Sequence, residues 1–374
     1  MPYYTILQNP IYEKITLDEL LDNKQVARSV RWNESNTRTF ICAPWKTYEL
    51  YSNEYIFKVK EKLTEFVRAH TDLYEADRHS LYRTFYIPKR TGGKREINAP
   101  NPELMDALIE LRSILEVDCN ALYHTSAYAY IRNRMTVDAV KKHQQNNSHW
   151  FLKVDFHDFF GSTNKEFVLK MLGGIVPFDR LTRHGDSELK KAIDLCFLDD
   201  KLPQGTPISP MLTNLIMIPI DHKLSKVLRE RNLVYTRYAD DILISGLQGF
   251  NVKEIQDIIR GVLAEFEAPY TFKDEKTRYG SREGSNWNLG VMLNKDNNIT
   301  VGHRNKKTFR AMLTNFLLDW NSNKPWSLDD IQYMNGLLSY YKMVEPDYFK
   351  ELIAKINTKH NTNIEKIIKE CLKG

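Results

Sequence analysis

The stretch LVYTRYADDILIS, residues 233–245, constrains this chain more than any other. Two runs rich in β-branched and aromatic residues flank Ala239, Asp240 and Asp241. Such runs favour a pleated, half-buried strand, so the pattern predicts a tight antiparallel hairpin with acidic residues at its turn. Aspartate is poor in strands, and adjacent carboxylates repel unless a cation neutralises them. A bound metal resolves that conflict. A second aspartate has comparable surroundings. Residues 150–156 alternate, with Leu152, Val154 and Phe156 on one face and Phe151, Lys153 and Asp155 on the other. That predicts a strand carrying Asp155 near its end. Carboxylates on adjacent strand ends suit two Mg²⁺ ions about 4 Å apart, one activating a hydroxyl and one neutralising a leaving phosphate. The doublet alone does not decide the matter, because Asp199-Asp200 and Asp329-Asp330 are further acidic pairs in polar, solvent-facing sequence.

Elsewhere the chain alternates strands and helices without a regular βαβ repeat. A helix is predicted over 55–70, from apolar Ile56, Val59, Leu63 and Phe66 at helical spacing. LYRTFYIPKRTGGKREINAP, residues 81–100, predicts a hairpin whose tip holds Gly92 and Gly93 among Lys89, Arg90, Lys94 and Arg95. A helix over 102–117 follows. In KLPQGTPISPMLTNLIMIPIDHKLSKVL, Ser209 is the expected N-cap, Pro210 suits the first helical position, and Pro219 is expected to bend the helix. Short strands are predicted at 287–293 and 298–302, and helix from Lys306 onward with breaks at Pro325 and Pro346. The order argues for an α+β body followed by a helical C-terminal region.

Composition closes off other classes. With 374 residues, 42% hydrophobic and 27% charged, the chain holds enough apolar material for two or three units and is not a disordered sequence. The net charge of +5 is compatible with a polyanionic partner without establishing one. Cys42, Cys119, Cys196 and Cys371 form no CxxC pair, which disfavours structural zinc. No stretch reaches the roughly 18 apolar residues of a membrane span, and the opening lacks the features of a signal peptide. The expected location is intracellular and reducing. GxGxxG and GxxxxGK[ST] are absent, so dinucleotide-binding and P-loop chemistry lack support.

Five segments, taken together, resemble bacterial reverse transcriptases. YADD at 238–241 resembles the Y-x-D-D core of that family. LPQGTPISPMLTNL at 202–215 is similar to its LPQG-x-x-x-SP-x-L-x-N segment, and FLKVDFHDFF at 151–160 to the strand of the first catalytic aspartate. FYIPKRTGGKREINAP resembles the fingers hairpin, and KDEKTR at 273–278 the later K-T segment. All stand in the family's order between residues 80 and 300. The resemblance implies a right-hand polymerase: an N-terminal extension over 1–75, fingers and palm with an antiparallel sheet over 76–300, and a helical thumb over 301–374.

Residue by residue, the resemblance implies that Asp155 and Asp240 are metal ligands. Asp241 is the second carboxylate of the doublet, near the primer end. Phe160 would lie under the incoming sugar and leave no room for a 2′-hydroxyl, so dNTPs rather than rNTPs are the expected substrates. Gln204 and Gly205 would line the nucleotide pocket, with Gly205 allowing close backbone approach. Lys89 and Arg95 would grip the triphosphate, Lys276 would serve the departing pyrophosphate, and Tyr238 would brace the turn near the primer. In GHRNKKTFR, the cations Arg304, Lys306, Lys307 and Arg310 form a backbone-tracking patch that adds salt dependence rather than sequence choice.

The compact build resembles retron enzymes and related defence-associated reverse transcriptases. Where retron enzymes carry N-A-x-x-H, this chain has DAVKKH at 138–143, and where they carry V-T-G it has WNLGVMLN, which keeps Gly290. The expected partners are a structured noncoding RNA template, its DNA product and an effector protein, in antiphage defence. Template-independent or protein-primed DNA synthesis would use the same residues. An inactive RNA-binding scaffold is opposed by the intact carboxylates. In a nucleotide cyclase, the LPQG segment and basic hairpin would have no purpose.

Overall fold

The computed structural model describes residues 53–374 other than 89–91, 117–121, 176, 183–186, 285–288 and 374, together with three short strands upstream. Lys89 and Arg90 therefore lie outside the described residues. The chain divides into two compact units. The first comprises residues 1–134, 152–245 and 250–278, and the second residues 135–151, 246–249 and 279–374.

In the first unit, β1 (Ile11–Glu13), β2 (Val30–Trp32) and β3 (Phe40–Cys42) pair antiparallel in the order β1-β3-β2. The helix Asn53–Ala69 follows and buries Ile56, Val59, Leu63 and Phe66, the stripe expected from their spacing. A hairpin of β4 (Tyr82–Pro88) and β5 (Lys94–Pro100) comes next, with Ile87 opposite Arg95. Gly92 and Gly93 both have positive φ, 89° and 79°, which a two-stranded ribbon needs at its tip. Most of the ribbon is solvent-exposed, including Phe85, Tyr86 and Ile87. The helix Pro102–Leu115 is capped by the Asn101 side chain, which accepts from the Leu104 amide, and buries Leu104, Leu108, Leu111 and Leu115.

The central sheet has the order β7-β8-β6-β9, with β6 at Trp150–Asp155, β7 at Val234–Tyr238, β8 at Asp241–Gly246 and β9 at Arg278–Ser281. The expected single bent helix after residue 208 is two helices, Ser209–Ile216 and Ile218–Arg229. The break falls at Met217, two residues before Pro219, because a proline lacks the N–H that would continue the ladder and is tolerated in a first turn. Ser209 is not the N-cap but the first helical residue. The N-cap position is Ile208, which has no capping side chain. In the turn before it Thr206 accepts from the Ser209 amide at 3.3 Å, while the Ser209 hydroxyl donates back to the Pro203 carbonyl.

The second unit joins the helix Thr136–Gln145 to a small ribbon, β10 (Met292–Leu293) and β11 (Ile299–Thr300), and to four helices, His303–Asn321, Leu328–Val344, Pro346–His360 and Ile364–Cys371. Asp138 accepts from the Met135 amide at the start of the first of these helices. The Gln144 and Asn297 side chains each donate to the other's main-chain carbonyl, at 2.7 and 2.9 Å. Buried Arg282 donates to the Asn147 and Asn297 side chains and to the Lys295 carbonyl. The helical core centres on Phe309, with ring centroids 5.2 Å from Tyr341 and 5.9 Å from Phe349. Among the described residues, no helix is long and apolar enough to cross a membrane. Phe309→Ala should cost about 3–5 kcal/mol, the usual penalty for an aromatic removed from a closed core, read from urea unfolding.

Candidate functional site

The β7–β8 hairpin closes on the pair Tyr238 and Asp241, so Ala239 and Asp240 form its two-residue turn. Ala239 has φ +57°, a left-handed conformation in which glycine is usual. The Phe156 amide donates to the Asp240 carbonyl at 3.1 Å. The turn therefore lies against the end of β6, where Asp155 is 9% exposed. Burial first, and then the charge of Asp155, push the Asp240 carboxyl above its usual range. Asp241 is also raised by burial, against the opposing pull of Lys153, whose Nζ is 2.8 Å from Asp241 Oδ2.

Among the described residues, two lysines approach Asp155. Lys273 Nζ is 2.8 Å from its Oδ1 and Lys276 Nζ 3.7 Å from its Oδ2. Lys273 arrives by backbone pairing: Phe156 and Phe272 form an antiparallel bridge, and the Lys273 amide donates to the Asp155 carbonyl at 2.9 Å. Among the described residues, no three His, Cys, Asp or Glu side chains are arranged to hold a metal unaided. Asp155 and Asp240 nonetheless fit a hard divalent cation. Their donors are hard carboxylate oxygens, their charges disfavour each other, and an ammonium group already sits on Asp155. Mg²⁺ is commonly held by one or two carboxylates together with substrate phosphates.

An aromatic layer supports the next turn. Phe156 stacks on Phe159 with centroids 5.5 Å apart, and Tyr270 packs on both while its hydroxyl lies 3.0 Å from that of Thr163. This layer leaves Phe160 half-buried, edge-on to Tyr130 with centroids 6.5 Å apart. Tyr130 is 54% exposed and has φ +60°. Burial raises its hydroxyl pKa, the charges of Asp240 and Tyr238 add to the rise, and Arg95 opposes it. Tyr130 thus shares a neighbourhood with Asp240 and Arg95. On another side, the Asn98 amide of β5 donates to the Gln204 carbonyl at 2.8 Å. Gly205 has φ +119°, and a Cβ there would lie 2.9 Å from Ile97 Cγ2 and 3.1 Å from the Asn98 carbonyl. Glycine at 205 therefore allows the LPQG turn to meet the hairpin strand.

Beneath the turn lies a buried polar cluster. Arg237 and Asp221 are 1% and 0% exposed. Arg237 Nε and Nη2 donate to the two Asp221 oxygens at 2.8 and 2.7 Å. Nη2 also donates to Asn214 Oδ1 at 3.2 Å, and Nη1 to the Ala239 carbonyl at 3.2 Å. Tyr235 donates its hydroxyl to Asp221 at 2.7 Å. Burial disfavours the Arg237 charge, but Asp221 outweighs it and holds the guanidinium pKa above its ordinary value.

The profile of the family described as reverse transcriptase (RNA-dependent DNA polymerase) matches residues 87–293, over half the chain. The chain belongs to this family. Retron Ec73 reverse transcriptase of Escherichia coli is 28% identical over 282 residues, covering 72% of this chain and 85% of that protein. Retron Ec83 reverse transcriptase of the same species is 25% identical over 306 residues, covering 78% and 91%. Retron Mx65 reverse transcriptase of Myxococcus xanthus is 27% identical over 292 residues, covering 73% and 64%. Among solved structures, apo telomerase from Candida tropicalis aligns at TM-score 0.47 and 14% identity, over 91% of this chain and 69% of that one. This reverse transcriptase is an RNA-directed DNA polymerase of the retron type or a close relative, with the right-hand α+β fold. The family works with divalent metal ions and dNTPs.

Asp155, Asp240, Asp241, Lys276, Phe160, Tyr238, Arg95, Gln204 and Gly205 all belong to the first unit of this reverse transcriptase. Lys153, Lys273, Tyr130 and the Arg237 cluster were not expected. The β6 alternation had already put Lys153 on the face of Asp155, and Lys273 opens the KDEKTR segment. Tyr130 lies in SAYAY, where spacing gives no signal. Arg304, Lys306, Lys307 and Arg310 belong to the second unit, on the helix His303–Asn321. Arg304, Lys307 and Arg310 are exposed. Lys306 is engaged: its Nζ is 2.5 Å from Glu345 Oε1 and 4.1 Å from the centre of the Tyr348 ring.

The raised Asp240 pKa means that the native protein holds a proton that the unfolded chain has released, across the window between the two values. Stability therefore falls as pH rises through that window and stays at the lower level at neutral pH. In EDTA at pH 7, Asp240→Asn should melt above the unsubstituted protein by calorimetry. The difference should close below the ordinary carboxylate range, and Mg²⁺ should raise the melting temperature of the unsubstituted protein more than that of the variant.

Proposed function

We propose that this reverse transcriptase copies a dedicated structured noncoding RNA into DNA in the bacterial cytoplasm, as part of an antiphage system with an effector protein. The observation that carries the chemical part is the seating of the Asp240 turn on the end of β6 beside Asp155. The retron names of its relatives support the RNA and its biological setting. Fingers and palm are taken to lie within 76–300 and the thumb over 301–374.

In this reading Asp155 and Asp240 hold the divalent metal ions, two Mg²⁺, with Asp241 completing the set at the primer end. Bound there, the metal would supply Lewis-acid activation of a primer 3′-hydroxyl and neutralisation of charge on the leaving pyrophosphate. Lys153 holds the Asp241 carboxylate to one side. Phe160 lies under the incoming sugar and excludes a 2′-hydroxyl. Lys89 and Arg95 grip the triphosphate, Gln204 and Gly205 line the pocket, and Lys276 offers a proton to pyrophosphate. Tyr238 braces the primer terminus. Arg304, Lys307 and Arg310 follow the backbone of the template–product duplex, and Lys306 joins them only by leaving Glu345.

The deciding experiment expresses the chain with its native flanking DNA and sequences the co-purified nucleic acid, beside an Asp240→Asn, Asp241→Asn control. A defined RNA with complementary DNA, absent from the control, is expected. DNA without an RNA complement, or DNA attached to protein, would replace this reading with untemplated or protein-primed synthesis. RNA bound equally by both forms without DNA would point to a scaffold. In primer extension, Phe160→Ala should raise rNTP incorporation about ten- to a hundred-fold relative to dNTP, and no change would remove Phe160 from the sugar site.

A further inference from the structure

We propose that Arg237, clamped by Asp221, is a positioning residue for catalysis: it holds the Ala239–Asp240 peptide in the conformation that presents the Asp240 carboxylate. This rests on the reading of Asp155 and Asp240 as the metal-holding pair. Arg237 itself touches neither substrate nor metal in that reading and acts only through Ala239.

Three observations converge. First, the main chain on either side of the Asp240 Cα is pinned. The Ala239 carbonyl accepts from Arg237 Nη1, and the Asp240 carbonyl accepts from the Phe156 amide. A carboxylate whose two flanking peptide planes are fixed has a fixed origin, which metal chemistry needs to within a fraction of an ångström. Second, Ala239 at φ +57° occupies a conformation that alanine keeps only when its surroundings over-determine it. The Arg237 bond is the side-chain restraint on its carbonyl. Third, Arg237 is itself immobilised from every side. Its amide donates to the Ser126 carbonyl at 2.7 Å and its carbonyl accepts from the Tyr128 amide at 2.9 Å. Its guanidinium is shared among Asp221, Asn214 and Ala239. A buried ion pair is a poor device for stability alone, since apolar residues of similar volume do as well. A planar donor that reaches two carboxylate oxygens, an amide oxygen and a main-chain carbonyl at once is a device for geometry.

The test compares Arg237→Lys, which keeps the charge and loses the fork, with Arg237→Lys carrying Ala239→Gly, and with Asn214→Ala, which keeps the ion pair. Glycine takes positive φ without strain, so it should restore what the missing restraint loses. Turnover per titrated active site, dNTP KM and Mn²⁺ affinity by electron paramagnetic resonance are measured on folded protein. Arg237→Lys should lower turnover about ten- to a hundred-fold and weaken Mn²⁺ binding about ten-fold while dNTP KM moves less than about three-fold. Adding Ala239→Gly should recover about half of the loss on a logarithmic scale. Should Arg237→Lys not fold, Asn214→Ala with and without Ala239→Gly carries the same comparison, with a smaller weakening of Mn²⁺ binding that glycine reverses. A lower melting temperature with unchanged Mn²⁺ affinity and turnover, or a loss that glycine leaves untouched, would overturn the proposal. Asp240→Asn serves as reference: unchanged Mn²⁺ binding in that variant would overturn the metal-pair reading itself, and the proposal with it.

Discussion

Like charges gathered out of water at the ends of neighbouring strands set the terms for the rest of the first unit. Asp155, Asp240 and Asp241 are held together by a sheet whose apolar faces are buried, so they cannot separate or gather a full hydration shell. Several of their neighbours supply positive charge or fix backbone. Lys273 and Lys276 approach Asp155 from the segment after the helix Val252–Glu265, and Lys153 approaches Asp241 from within β6. In the proposed reading, a divalent cation between Asp155 and Asp240 would relieve the repulsion that, after burial, raises the Asp240 carboxyl, with the lysines left to the substrate phosphates.

The support is a connected set of contacts rather than a single element. Asn214, on the helix that follows the LPQG turn, accepts from Arg237 and donates to the Ala129 carbonyl at 2.8 Å. It thereby ties the hairpin of the aspartates to the segment that displays Tyr130 beside Phe160. The SP-x-L-x-N pattern is thus explained by geometry: Ser209 anchors the turn to Pro203, Leu212 and Leu215 fill the core, and Asn214 joins two backbones that carry the site. Replacing one member would leave buried polar atoms without partners, the costliest outcome in a dry interior.

The carboxylates were legible in the sequence because their local context conflicts with their type: aspartates embedded in strand-forming runs call for a compensating cation. The helices Asn53–Ala69 and Pro102–Leu115 were legible from the spacing of their apolar residues. What escaped was set by contacts remote in sequence. Lys273 meets Asp155 across 118 residues through a backbone bridge that no spacing rule foretells. Tyr130 owes its place to a carbonyl held by Asn214, 85 positions away. Ser209 is not the cap because its hydroxyl is used on the Pro203 carbonyl and the N-cap falls one residue earlier, at Ile208, which local preference does not foretell. Lys306 looked like one of four equivalent cations, yet Glu345 binds it. Charge counting along a helix does not distinguish a solvated ammonium from a sequestered one.

The β4–β5 ribbon has water on both faces for most of its length, and Gly205 and Gln204 meet it only near its base. A two-stranded ribbon of this kind is marginally ordered by itself. Its amides should therefore open and close on their own, with protection from solvent exchange far below that of β6 or β7. An anion that gathers Lys94 and Arg95 must also quench that motion, so its affinity is lowered by the entropy of ordering. The same cost sharpens discrimination, because a ligand that engages only part of the ribbon bears much of the ordering cost for a fraction of the contacts.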